Sequence, residues 1–413
     1  MSGWRTRWQR LAAVSALGAA VGACARPKPE RPTRQPELRV GLATGAPQVT
    51  VGGAGRLTAF AEGAAAFQID HQPVTVSADG RAVVVGGSTP GRYQRLLLVS
   101  PDPGGVVGVN GRRYRGTVEL LAQGGGVSAV NRLGVEDYLL GVVSAEMGRR
   151  SSREAPALAA QAVVSRTYAL RNRGRFASQG FDLEAGVTDQ AYGGVDAETP
   201  EGSAAVRATT GLVLTSRGQL ITAFFHSTCG YATATPGEAF RGVADLSYLR
   251  SVSDRRPGSG GGYYCDISPR FRWTVEWDQV MLRDILRRNV SRVLGVSADI
   301  VDDIRDVRVA HRGRSGRATE VRIRVGQGEI PVYAPDIRTV FMAPDGRPLG
   351  STAVQLHPER DGDRLVRLKV AGAGWGHGVG MCQWGAVGRA SAGQDFRQIV
   401  AAYFPGTEVE RWY

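Results

Sequence analysis

The chain has 413 residues, 42% hydrophobic and 22% charged, a balance that suits two or three globular domains and excludes a disordered or fibrous chain. Its net charge of +13 rests almost wholly on arginine, since the lysines are Lys28 and Lys369 alone. A basic surface favours anionic polymers, but the arginines are scattered and no run interleaves them with aromatics, so no nucleic-acid partner is expected.

Residues 1–23 begin with Arg5, Arg7 and Arg10 and continue with the apolar run LAAVSALGAAVGA, the pattern of a signal peptide. Val21-Gly22-Ala23-Cys24 resembles a bacterial lipobox. Cys24 would then be lipidated and would anchor the chain to a bacterial membrane, outside the cytoplasm in the periplasm or cell envelope. Ordinary cleavage would instead remove Cys24 or leave it as a stray thiol. Residues 24–37, rich in proline and charge, form a tether. No other segment approaches the roughly 18 uninterrupted apolar residues of a membrane span.

From 38 to 133, short apolar runs such as LRVGL, RAVVVGG and VSAVNRL alternate with Gly, Pro and Asp breakers, which predicts a β-rich lobe. His71 lies in a turn-like stretch and is expected at the surface. The spacing of Leu139, Val142 and Val143 then predicts a helix over 135–147 ending near Gly148. Glu146 falls next on that stripe, where desolvation and the negative end of the helix dipole both favour its protonated form. Rotating the helix, with Leu140, Val143 and Met147 inward, would put Glu146 in solvent. A second helix is expected from an N-cap at Ser152 to about Asn172, with Glu154 and Pro156 in its first turn. Its small residues, Ala162, Ser165 and Ala169, permit close helix approach. Arg166 sits on an apolar stripe, so it pairs with a buried carboxylate, reaches a ligand, or snorkels.

Residues 187–194 read VTDQAYGG. Gln190 and Tyr192 offer an amide and an aromatic face suited to sugar, or the tyrosine simply packs. A hairpin follows, turning at Arg217-Gly218 and delivering His226 and Cys229. With Cys265 and Cys382, these are the right residue types for zinc, but the spacing matches no zinc pattern and half of a CxxC knuckle is missing. A Cys229–Cys265 disulfide is the expectation, with no metal and no cofactor. Residues 271–289, FRWTVEWDQVMLRDILRRN, read as a strand and an amphipathic helix. A hairpin turning at 313–316 comes next, its arginines on a solvated face and His311 exposed. The last region, GAGWGHGVGMCQWGA, holds six glycines from Gly372 to Gly385, which allow positive φ and close approach to a ligand. His377, Gln383 and Trp384 add polar and stacking groups, unless this is a tight structural turn. A helix from Ala386 covers the core.

These runs together resemble the SpoIID/LytB family of sporulation and cell-wall proteins: EDYLLGVVSAEM, ALAAQAVVSRTYAL, DQAYGG, FHSTCG and GHGVGMCQWGA stand in the family's order. The resemblance implies cleavage of peptidoglycan glycan strands by a lytic transglycosylase, with Glu146 as catalytic acid and base. Arg166, from its stripe position, and Tyr168, Gln190, Tyr192, His377 and Gln383 are the candidate substrate-binding residues. Other members are described as enhancers of a cell-wall amidase, so an amidase partner is the alternative. The family usually carries Lys where this chain has Ala159, which puts in doubt whatever that Lys does at the substrate. Zinc in some members is held by Cys and His near the DQAYGG position, and this chain has neither there. The expected architecture is α+β, a helical catalytic core packed on mixed β-sheet, with residues 134–413 as the catalytic domain and a β-rich insertion at about 236–365.

Overall fold

The computed structural model describes residues 31–87, 90–258, 260–326 and 328–413. The stretch read as a signal peptide, Cys24 and the start of the expected tether lie outside the described residues. The fold is α+β as expected, and by its internal contacts the chain divides into residues 31–223 with 408–413 and residues 224–407. Strand Gly126–Gly134 passes directly into helix α1 (Val135–Met147), and the Val135 N–H donates to the Pro36 carbonyl. No linker separates the lobe from the helices.

In the first unit, strand Gly126–Gly134 is central. It pairs with Glu37–Ala46 on one side and Thr117–Gln123 on the other in a seven-stranded sheet. It packs both on α1 and on the second, six-stranded sheet, so six consecutive residues, Gly126 to Asn131, are buried. A strand covered on both faces loses the alternation of a half-exposed one. Helix α2 (Ala155–Arg171) is buried continuously from Ala157 to Ala169, and α3 (Pro200–Ala208) packs on both earlier helices. The small residues foreseen on α2 explain how three helices fit so closely. A one-turn 3₁₀ segment, Ser152–Glu154, precedes α2, and the cap is Ser151, whose N–H donates to the Glu154 carboxylate at 2.8 Å, rather than Ser152. Strand Leu212–Ser216 turns at Arg217-Gly218, both at positive φ, as predicted. Its longer partner, however, is the C-terminal strand Glu408–Arg411.

The second unit contains the expected strand Arg272–Asp278 and helix α4 (Gln279–Asn289), started by the Asp278 carboxylate accepting from the Met281 N–H at 2.8 Å. These close on the predicted hairpin Ile304–Arg312 and Ala318–Val325, around a core that includes Trp277, Leu286, Val307, Val321, Ile323 and Leu368. His311 is exposed, as is His71 in the first unit. The C-terminal helix is two helices, α5 (Gln383–Ser391) and α6 (Phe396–Tyr403). Gly393 at φ +84° breaks the run, and Asp395 caps the restart by accepting from the Gln398 N–H.

Candidate functional site

Glu146 lies in the last turn of α1, which Gly148 ends at φ +69°. It is half-buried, between the inward and the rotated alternatives, and its Oε1 accepts the Ala191 N–H at 2.6 Å. That donor belongs to the DQAYGG segment, whose Asp189, Gln190 and Tyr192 side chains bond to the protein. Asp189 takes the Arg175 guanidinium at 2.6 Å, the Tyr168 hydroxyl at 2.9 Å and the Glu184 N–H at 2.8 Å. The Gln190 Oε1 accepts from the Tyr138 hydroxyl at 3.2 Å. Tyr192 donates to Asn131 Oδ1 at 2.8 Å, and the Asn131 amide donates to the Arg115 and Thr117 carbonyls. The segment is therefore a strap, pegged at each residue, that presents one backbone N–H to Glu146.

The pegs correct three assignments. Tyr168, Gln190 and Tyr192 are 6%, 0% and 4% exposed, so their polar atoms face the interior and not a substrate. Arg166 is corrected too. Its guanidinium is wholly buried and makes a bidentate pair with Glu136, at 2.8 and 2.7 Å, plus a bond to the Leu212 carbonyl at 3.0 Å. This is the buried-carboxylate alternative. Glu136 also accepts from the Gly211 N–H and the Tyr413 hydroxyl. It is the functional partner that sequence reasoning missed, because it is 30 residues upstream of Arg166 on another helix. Ala159, where the family carries Lys, is buried in α2.

The strap reaches α1 at Gly141, whose carbonyl accepts the Gly193 N–H. A Cβ there would stand 2.8 Å from the Tyr192 ring and 2.9 Å from the Gly194 carbonyl oxygen. Gly141→Ala is accordingly expected to destabilise the protein by about 1–3 kcal/mol, the usual range for overpacking. Urea denaturation would read this directly.

His377 and Gln383 belong to the second unit. The His377 Nδ1 accepts the Val379 N–H at 3.0 Å, so its Nε2–H donates to the Phe225 carbonyl at 2.9 Å. Both ring nitrogens are taken by backbone, which corrects the reading of His377 as a substrate group. Gln383 is buried at the start of α5. The glycine run does hold positive φ at Gly374, Gly376, Gly378 and Gly380, but the close approach is to the chain itself. A Cβ on Gly380 would lie 2.0 Å from the Phe224 carbonyl oxygen, and the N–H groups of Trp375, Gly376 and Met381 donate to Thr228, Gly350 and Phe224.

Burial lowers both His226 and His377 to about 3, with Arg317 adding to the effect on His226, and His226 and Arg338 to that on His377. The unfolded chain titrates nearer 6.5 and so takes up these protons first as pH falls. Stability from the two neutral rings is thus full above pH 6.5 and drains away toward pH 3. A urea midpoint that falls through this window, with a shallower fall in His377→Asn, is the expected result.

The expected Cys229–Cys265 disulfide is not formed. The two sulfurs stand 3.5 Å apart as free thiols, and Cys382 and Asp254 join them. The sequence placed Cys382 in view but gave no sign of Asp254.

Residues 123–216, which span α1, α2, α3 and the strap, match the family model described as Stage II sporulation protein, SpoIID. Residues 243–380 match a domain of unknown function. The chain is 28% identical over 321 residues to an uncharacterized protein of Brachyspira hyodysenteriae, covering 77% of each. It is 27% identical over 296 residues to the stage II sporulation protein D of Bacillus subtilis, covering 68% of this chain and 76% of that one. It is 26% identical over 350 residues to the amidase enhancer of Bacillus subtilis, covering 76% of this chain but 47% of the relative.

Proposed function

Since the chain belongs to the SpoIID/LytB family, whose named relatives tie it to the cell wall, we propose that it is a lytic transglycosylase cleaving the glycan strands of peptidoglycan. The observation that carries this reading is the carboxyl of Glu146, half-buried at the end of α1 and held by the Ala191 N–H. The acid of the strap itself, Asp189, is committed to Arg175 and Tyr168. Hydrolytic glycosidases use two carboxylates because water must be activated as well as the leaving group protonated. A transglycosylase needs one, because the attacking hydroxyl is already part of the sugar.

Glu146 as the acid gives its proton to the glycosidic oxygen while the bond from the anomeric carbon to that oxygen breaks. As the carboxylate it then takes the proton of the C6 hydroxyl while O6 bonds to the anomeric carbon. The product is a 1,6-anhydro-muramic end, no water is consumed, and the acid is restored. The Ala191 N–H keeps the carboxyl in one orientation through both steps. We place the protein in the cell envelope, anchored by lipid on Cys24, with glycan strands as its partner.

A second reading draws on the similarity to the amidase enhancer, together with the inward orientation of the candidate substrate side chains. In it the chain binds strands and stimulates a cell-wall amidase without cutting. The test is to incubate the purified chain with peptide-free glycan strands and analyse the products by mass spectrometry. Anhydro-muramic ends support the transglycosylase. Strands bound but uncut, with faster release of stem peptides once an amidase is added, support the enhancer.

A further inference from the structure

Four potential metal ligands converge in the second unit from widely separated stretches. Cys229 follows the short strand Phe225–His226, Asp254 and Cys265 flank the loop before strand Arg272–Asp278, and Cys382 caps the N-terminus of α5. All four are buried, and the three Sγ atoms and a carboxylate oxygen lie within 4.8 Å of one another. We propose that Cys229, Asp254, Cys265 and Cys382 form a closed structural site for a zinc ion. This goes beyond the proposed glycan chemistry and does not depend on it.

Spacing is the first argument. Sulfurs bound at ~2.3 Å to one tetrahedral ion stand roughly 3.8 Å apart, close to the 3.5 Å between Cys229 and Cys265. The second is the ring of donors around the ligand atoms. The Cys382 Sγ accepts the N–H groups of Cys229 at 3.1 Å and of Gly385 at 3.2 Å, the latter from the first turn of α5. The Asp254 carboxylate accepts the Cys265 N–H at 3.0 Å and the Tyr403 hydroxyl at 2.7 Å, with Arg389 at 3.5 Å. Donors of this kind orient anionic ligands and are what outer shells of metal sites supply.

The third argument is charge. The Arg389 guanidinium lies at Asp254 and the Arg317 guanidinium donates to the Cys229 carbonyl, so the surroundings favour ionised ligands, and a bound cation would offset the remaining charge once the three thiols give up their protons to it. Thiolates are soft donors, which selects zinc over magnesium, calcium or manganese. Four protein ligands leave no open position, so the site is structural rather than catalytic. His226 is not part of it, since its ring nitrogens lie outside the cluster of ligand atoms within 4.8 Å of one another. The ion would tie together positions 36 and 153 residues apart.

The full chain, purified in detergent, is expected to carry one zinc per molecule by elemental analysis, released when an organomercurial titrates the thiols. Cobalt exchanged into it should give a thiolate charge-transfer band and intense tetrahedral bands in the visible. Cys382→Ser and Asp254→Asn should each weaken zinc retention by about tenfold or more. A zinc-free chain with a disulfide among Cys229, Cys265 and Cys382 on non-reducing peptide mapping would overturn the proposal, as would unchanged zinc in both variants. If the variants do not fold, the cobalt spectrum of the unaltered chain decides, and weak octahedral bands without charge transfer count against the site.

Discussion

Glu146→Gln is expected to lower the release of anhydro-muramic ends from peptide-free strands by roughly 10²–10⁴-fold, the usual contribution of a positioned acid and base, while strand binding and thermal midpoint stay near those of the unaltered chain. Gln has nearly the same shape as Glu, and its amide oxygen can still accept the Ala191 N–H that Oε1 accepts at 2.6 Å. The strap should therefore remain seated, and what is lost is the ability to give and retake a proton. Glutamine at 146 with full cutting activity would remove this carboxyl from the mechanism. Equal stimulation of an amidase by both proteins, with no cutting by either, would favour the enhancer reading. A large fall in melting temperature would instead mean that Glu146 serves the fold.

The parts of the chain that follow a period were legible in the sequence. Helix α1 runs over Val135–Met147 as predicted, because Leu139, Val142 and Val143 mark its buried stripe and Gly148 ends it. The strand and helix at 272–289 and the turn at Arg217-Gly218 were visible for the same kind of reason. The strap was not. A loop has no periodicity to say where its side chains point, so Tyr192 read equally well as a sugar platform or as a packed ring, and only Asn131, 61 residues away, decides. Arg166 posed the same problem, since an arginine on an apolar stripe announces a partner without naming it. The division at 223/224 left no mark of linker composition in the sequence, and the pairing of Leu212–Ser216 with a strand from the far end of the chain has no local signal. The cysteine cluster was half visible: the residue types were evident, but convergence of positions 229, 254, 265 and 382 is a property of the fold alone.

Arg166→Met is expected to destabilise the protein by about 3–5 kcal/mol, the range for breaking a buried ion pair from one side. Arg166 is fully buried and its Glu136 partner nearly so, with side-chain exposures of 0% and 14%. Methionine can fill much of the space along α2 but leaves the Glu136 carboxylate facing only the Gly211 N–H and the Tyr413 hydroxyl. It also leaves the Leu212 carbonyl without its guanidinium donor. Three connections loosen together: α1 through Glu136, α2 through residue 166, and the strand Leu212–Ser216 with its C-terminal partner. Arg166→Lys should restore only part of the loss, because an ammonium is a point donor and cannot reproduce the two parallel bonds to Glu136 while also reaching Leu212. Pairing Arg166→Met with Glu136→Leu should recover stability relative to the single change, since removing both charges abolishes the unpaired carboxylate. Denaturant titrations of Arg166→Met, Glu136→Leu, the double variant and the unaltered chain give the coupling directly. If Arg166 instead held substrate, Arg166→Met would leave the denaturation midpoint in place and raise only the KM for glycan strands, and the double variant would recover nothing.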